Sequence, residues 1–111
     1  MNSRITASSL SKSTFDSWYN AEHIPDIFVT KQIPSACRYN NIDPSASHPY
    51  LALYPVPDIK FLGSKEFEKI PVESKKYFPG GEKCYDLAEF DTRFYEEIDI
   101  FEKEGGKGGE F

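Results

Sequence analysis

Glu22, His23 and Asp26 are the side chains in this chain of 111 residues whose types and spacing best suit proton transfer. Histidine titrates near neutrality, so a modest environmental shift keeps it usable as a general acid or base. A carboxylate on either side, Glu22 or Asp26, is placed to fix its tautomer. The three residues close a run, Phe15-Asp16-Ser17-Trp18-Tyr19-Asn20-Ala21-Glu22-His23-Ile24-Pro25-Asp26, in which Phe15, Trp18, Tyr19 and Glu22 recur at the spacing of one helical face. Ile24 precedes Pro25, and a residue before proline is pushed out of the helical region. The helix is therefore expected to end or unwind near His23. The carbonyl end of a helix favours the imidazolium, and burial among aromatic rings favours the neutral ring. The bland alternative is a helix-ending histidine with its charge partner. Glu22 lies nearer the centre of the apolar stripe, where a structural carboxylate is also an option.

The elements that must position this run follow from turn and periodicity signals. Asn2 to Thr6 reads as a short first strand, followed by a Ser-rich turn in which Ser11 or Ser13 caps the helix. A looser continuation runs through Ile27, Phe28 and Val29 until Gln32-Ile33-Pro34 breaks it. Ser35 to Asn40 and Tyr50 to Tyr54 read as strands that pair as a hairpin across a polar loop. Asp58 caps a short turn, Ser64 opens a second helix carrying Phe67 and Ile70, and Pro71 stops it. Pro79-Gly80-Gly81 forms a return, and Cys84 to Tyr95 reads as a long last strand. The order βαββαβ is that of a ferredoxin-like α+β domain, with two helices on one face of a four-stranded antiparallel sheet. Both alternating sets along the strands carry apolar residues: Cys37, Tyr39, Leu51, Leu53 and Leu87 on one, Ala36, Tyr50, Ala52, Tyr54, Phe90 and Phe94 on the other. A sheet that wants both faces buried, with helices for only one, predicts a homodimer.

Composition narrows the classes of function. With 13 basic and 18 acidic residues the net charge is -5, and no basic cluster interleaves with aromatics, so no nucleic-acid partner is expected. No apolar run approaches a membrane span and no secretion signal opens the chain, which predicts a soluble, cytoplasmic protein without a membrane partner. Cys37 and Cys84 are too far apart for a short metal or redox motif and are expected as buried free thiols. His23 and His48 do not complete a metal-ligand pattern either, so neither a metal nor a cofactor is expected. One domain over residues 1–101 is expected, with a flexible Gly/Glu/Lys tail over 102–111.

The run Phe15-x-x-Trp18-Tyr19-x-x-Glu22-His23-Ile24-Pro25-Asp26, with Ser35-Ala36-Cys37-Arg38-Tyr39, Pro49-Tyr50-Leu51-Ala52-Leu53-Tyr54 and Tyr85-Asp86-Leu87-Ala88-Glu89-Phe90-Asp91, resembles the dimeric α+β-barrel superfamily, most closely the fungal EthD-like proteins. The resemblance spans about Asn2 to Tyr95. It implies two sheets forming a barrel across a dimer, with a cavity between the sheet and the helices of each subunit. It also implies cofactor-free or haem-dependent chemistry on aromatic, lactone or polyketide substrates. His23 matches the family's motif histidine. The chain departs from the family pattern in a shortened first strand.

Two functions follow. One is a cofactor-free enzyme acting on an aromatic or polyketide-derived molecule by decarboxylation, cyclisation, dehydration or oxygenation. There His23 is the general acid or base, Glu22 or Asp26 fixes it, and Arg38 holds a carboxylate or enolate. Tyr39 or Tyr54 donates to a developing oxyanion, and Trp18 and Tyr19 line an apolar pocket. The other is a non-catalytic, stress-associated dimeric module that binds an apolar metabolite.

Overall fold

The structure, a computed structural model, describes residues 1–103; the rest of the expected tail, 104–111, lies outside the described residues. Four short strands, β1 (Asn2–Ile5), β2 (Cys37–Asn40), β3 (Tyr50–Leu53) and β4 (Ala88–Asp91), form one antiparallel sheet in the order β2-β3-β1-β4. β1 and β2 therefore run parallel with β3 between them, the split arrangement expected of a ferredoxin-like α+β domain. All four residues of β1 pair with β4, Asn2 opposite Asp91 through Ile5 opposite Ala88, whereas only Asn2 and Ser3 pair with β3. At four residues the first strand is as long as each of the other three. Met1 adds one further exchange with Ala52, its carbonyl accepting from the Ala52 N–H at 2.9 Å.

The main helix opens where Ser11 accepts a hydrogen bond from the Thr14 N–H, which satisfies one of the donors left free in the first turn. α1 (Lys12–Trp18) buries Phe15 and Trp18 against the sheet. The helix unwinds near His23, as one of the two expected outcomes, and does not stop there. It widens into a π-turn over Tyr19–His23 and continues as α2 (Ile24–Val29). The Ile24 N–H reaches back five residues to the Tyr19 carbonyl. Pro25 has no N–H to donate, and its ring crowds the carbonyl four residues earlier; the wider turn accommodates both defects and leaves proline at the start of α2, where it is tolerated. The imidazole thus sits inside a continuous helical rod, not at its end.

The second half of the helical layer is fragmentary. A 3₁₀ turn (Ile59–Gly63) is capped by Asp58, and α3 (Lys65–Glu68), capped by Ser64, is one turn long and ends before Ile70. The expected long last strand is also corrected. Cys84–Leu87 forms a helical turn, α4, because the Asp86 carboxylate accepts from the Lys83 N–H at 2.9 Å and the Cys84 N–H is drawn to the Val72 carbonyl. Only Ala88–Asp91 pairs in the sheet; Phe94 and Tyr95 lie beyond it and are exposed.

Strand alternation and register divide the sheet cleanly. Ser3, Ile5, Arg38, Tyr50, Ala52, Ala88 and Phe90 face the helices. Cys37, Tyr39, Leu51 and Leu53 lie on the other face, together with an Arg4–Glu89 ion pair. The core between sheet and helices contains Leu10, Phe15, Trp18, Tyr19, Ala52, Phe78, Cys84, Leu87 and Ala88, and a smaller cluster joins Ile27, Ile33 and Phe61. Of the two thiols expected to be buried, Cys84 is buried, and burial pushes its pKa up to about 12. Cys37 is exposed, because the odd-numbered positions of β2 fall on the uncovered face.

Candidate functional site

The π-turn brings Trp18, Tyr19 and His23 into one aromatic cluster. The His23 ring stacks on Trp18, with centroids 4.7 Å apart and planes at 19°, and meets Tyr19 edge-on at 5.1 Å. Phe78, from the segment before Pro79, packs on the other side of the group at 5.1 Å from Trp18. A wider turn changes the angular spacing along the helix, which is why residues 18, 19 and 23 converge while Glu22 and Asp26 diverge from the ring.

Burial in this cluster lowers the His23 pKa to about 4; the Pro71 carbonyl beside the ring opposes the shift only partly. The imidazole is therefore neutral at neutral pH. Its Nδ1 is buried and has no hydrogen-bond partner. Buried polar atoms are nearly always satisfied, so an orphan marks either a strained position or one that awaits a ligand or water. A second orphan belongs to the same region: the Tyr54 hydroxyl, at the end of β3, is buried and unpartnered. Burial raises its pKa, and proximity to Tyr19 and Arg38 moderates the rise without a well-formed hydrogen bond between the two phenols. Tyr19 itself is held far above the ordinary phenol range by burial and by the neighbouring Tyr54.

Neither carboxylate orients the histidine. Among the described residues no hydrogen bond joins Glu22 or Asp26 to His23. Asp26 instead has its pKa raised by burial and by the nearby Glu22. Arg38 is brought to the helix face but not to the imidazole. Its Nη2 donates to Asp16 at 2.7 Å and its Nη1 to Asn20 at 3.0 Å, with the guanidinium carbon 4.5 Å above the Tyr19 ring. Lys12 holds the other Asp16 oxygen at 2.6 Å. Burial alone would raise the Asp16 pKa, and the hydrogen bonds from Lys12 and Arg38 outweigh it, holding the carboxyl below its usual range. Tyr39, one residue along β2, falls on the uncovered face and is 52% exposed. It does not lie with Tyr54 on the helix side, though at the edge strand β2 it lines a cleft together with Arg38.

The described residues thus form a cluster of buried Trp18, Tyr19 and Phe78 with half-buried His23 and Tyr54, and beside it a surface cleft of about 200 Å³ between α1, the π-turn and β2. Asp16, Asn20, Arg38, Tyr39 and Asn40 line the cleft. Tyr19 touches both, through His23 on one hand and Arg38 on the other. A second hollow, of about 140 Å³, is lined by Ser74, Phe78, Pro79 and Gly81 among others, and Phe78 also packs against Trp18. Asp16, Asn20 and Phe78 line these hollows and were not singled out from the sequence. The signal for the first two was present, because positions 16 and 20 lie one helical turn apart beside Tyr19. No group of three or more metal-binding side chains comes together among the described residues. No described helix is long and apolar enough to cross a membrane.

The chain is 30% identical over 96 residues to Core atranone cluster (CAC) protein 1 of Stachybotrys chlorohalonatus, a stretch that takes in 86% of this chain. It spans only 41% of that protein's length. No protein-family model and no solved structure matches the chain.

Proposed function

We propose that this protein acts on a flat aromatic or polyketide-derived small molecule, without a metal or organic cofactor, using His23 as general base and then as general acid. The observation that carries this reading is a neutral imidazole with a buried, unpartnered Nδ1 that packs on Tyr19, whose other neighbour, Tyr54, also has a buried, unpartnered hydroxyl. A carbonyl only accepts, so Pro71 favours an N–H on the ring nitrogen it faces and leaves Nδ1 as the lone-pair nitrogen. When Nδ1 takes an acidic C–H or phenolic proton, the anion left behind lies beside the new imidazolium in a low-dielectric site. That ion pair compensates for the weak intrinsic basicity of a histidine with so low a pKa. Tyr54 then donates to the developing oxyanion. Trp18 and Tyr19 supply the apolar walls, with Phe78, which packs on Trp18 and lines the second hollow. The name of the Stachybotrys relative, which refers to the core atranone cluster, supports a place in small-molecule biosynthesis.

The EthD-like, dimeric α+β-barrel assignment belongs to the same proposal. It is supported by the strand order and by the apolar residues left on the uncovered face, where Tyr39 and Leu53 stand exposed. A second copy covering that face accounts for them. Sedimentation at micromolar concentration is expected to give a dimer; a monomer throughout contradicts this part of the reading.

One observation favours the alternative, a binding module that does no chemistry: His23 lacks the orienting carboxylate that catalytic histidines commonly have. Turnover and binding measured together on a panel of polyketide acids and anthrones separate the two. The enzyme reading requires turnover that His23→Ala abolishes with ligand binding retained. Binding at unchanged affinity in that variant, with no turnover by the wild type, establishes the carrier.

A further inference from the structure

We infer that the cleft between α1, the π-turn and β2 is a carboxylate-binding subsite for planar aromatic acids, in which Arg38 is the ligand-binding residue and Asp16 and Asn20 are positioning residues. This rests on the reading of the protein as one that takes a flat aromatic molecule, and it adds the charge that molecule carries.

The Arg38 side chain is only 19% exposed. A guanidinium has five N–H donors in a planar fork. Two are engaged, by Asp16 at 2.7 Å and by Asn20 at 3.0 Å, and the remainder have no partner among the described side chains. The two anchors come from one side of a helix, and the Tyr19 ring lies 4.5 Å from the guanidinium carbon, so the group is fixed both by hydrogen bonds and by a cation–π contact. Holding the fork in one orientation lowers the entropy lost when a carboxylate docks on its free edge.

Charge points the same way. Asp16 is shared between Lys12 and Arg38, two cations against one carboxylate, which leaves one positive charge unmatched. A monoanion neutralises the cleft; a dianion or a cation does not. The cleft also adjoins Tyr19, which contacts His23, so an acid anchored on Arg38 carries its ring toward the aromatic cluster.

The test compares 2-naphthoate with its neutral isostere 2-naphthamide, by calorimetry or ligand-observed NMR on the full chain. Wild-type protein is expected to bind the acid about ten-fold more tightly than the amide, the preference that a charge-assisted pair confers. Arg38→Gln is expected to bring the ratio to about one. Asn20 is exposed on the helix and alanine is the better helix former, so Asn20→Ala folds. It is expected to lower the ratio about three-fold by loosening the fork, with amide affinity unchanged. A purely structural role for Asn20 would move both ligands together. A ratio near one in the wild type, or one unaltered by either variant, overturns the proposal. His23→Gln separates the two claims: it leaves the ratio intact if the subsite is real, whether or not it abolishes turnover.

Discussion

Replacing His23 by glutamine lowers turnover by about 10²–10⁴-fold, the usual worth of a positioned general acid–base group, while ligand affinity changes by less than about three-fold. Glutamine keeps a flat polar group of similar size against Trp18, so the stack 4.7 Å away is largely retained and the fold is not challenged. What it loses is a nitrogen that can bind and release a proton. The effect is expected on kcat rather than on KM, because the proposed binding groups, the aromatic surface and Arg38, do not depend on that proton. A drop confined to KM would mean that His23 is wall, not machinery. Because Nδ1 has no carboxylate behind it, the imidazolium is stabilised only by the substrate anion and by the Pro71 carbonyl. Substrates that yield a stabilised enolate or phenolate are therefore expected to react far faster than those that do not.

The largest stability effect is expected at Trp18. This side chain is 1% exposed and packs against Phe15, Tyr19, His23 and Phe78, with centroids between 4.7 and 6.1 Å. Trp18→Ala is expected to cost about 3–5 kcal/mol in urea unfolding, from lost transfer free energy and the cavity left among four rings. That is a large share of the roughly 5–15 kcal/mol by which a domain of this size is stable. Trp18→Phe, which refills most of the space, is expected to cost about 1–3 kcal/mol. A loss below about 1 kcal/mol for the alanine variant would show that the cluster collapses around the gap, and that the rings do not hold His23 in place. The same substitution removes the burial that lowers the His23 pKa, so it couples the core to the chemistry.

The sheet was legible in the sequence because period-two alternation and proline-bounded runs survive in strands as short as four residues. Tyr50-Leu51-Ala52-Leu53 between Pro49 and Pro55 leaves little alternative, and it dictates the hairpin with Cys37–Asn40. The helix boundary was not legible. Pro25 signals a stop by local sterics, but burial of Ile27 and of the Trp18–His23 face outweighs the cost of one irregular turn, and a π-turn carries no composition signal of its own. The turn at Cys84–Leu87 was missed for a similar reason: its apolar residues suit a strand, and a single side chain, Asp86, tips the backbone toward a helix by capping Lys83.

The site was legible in its residue types and less so in its grouping. The alternating pattern already sets Tyr39 with Cys37 and Tyr54 with Ala52, so Tyr39 belongs to the uncovered face and Tyr54 to the helix side. Nothing in the local sequence says that Arg38 bonds to Asp16 and Asn20 instead of approaching His23, since that contact depends on where helix and sheet meet. The orphaned Nδ1 and Oη are likewise properties of packing alone.

Nitrogen-resolved NMR of the His23 imidazole, as a function of pH and of added 2-naphthoate, reads out whether this ring is the neutral base of a ligand site. The free protein is expected to show a neutral ring that protonates only near pH 4, with Nδ1 bearing the lone pair. Saturating ligand is expected to shift the Nδ1 resonance, because an acid anchored on Arg38 carries its ring toward Tyr19, which contacts the imidazole. A ring that titrates near its ordinary 6.5 and is indifferent to the ligand contradicts the account, since His23 would then be solvated and outside the site.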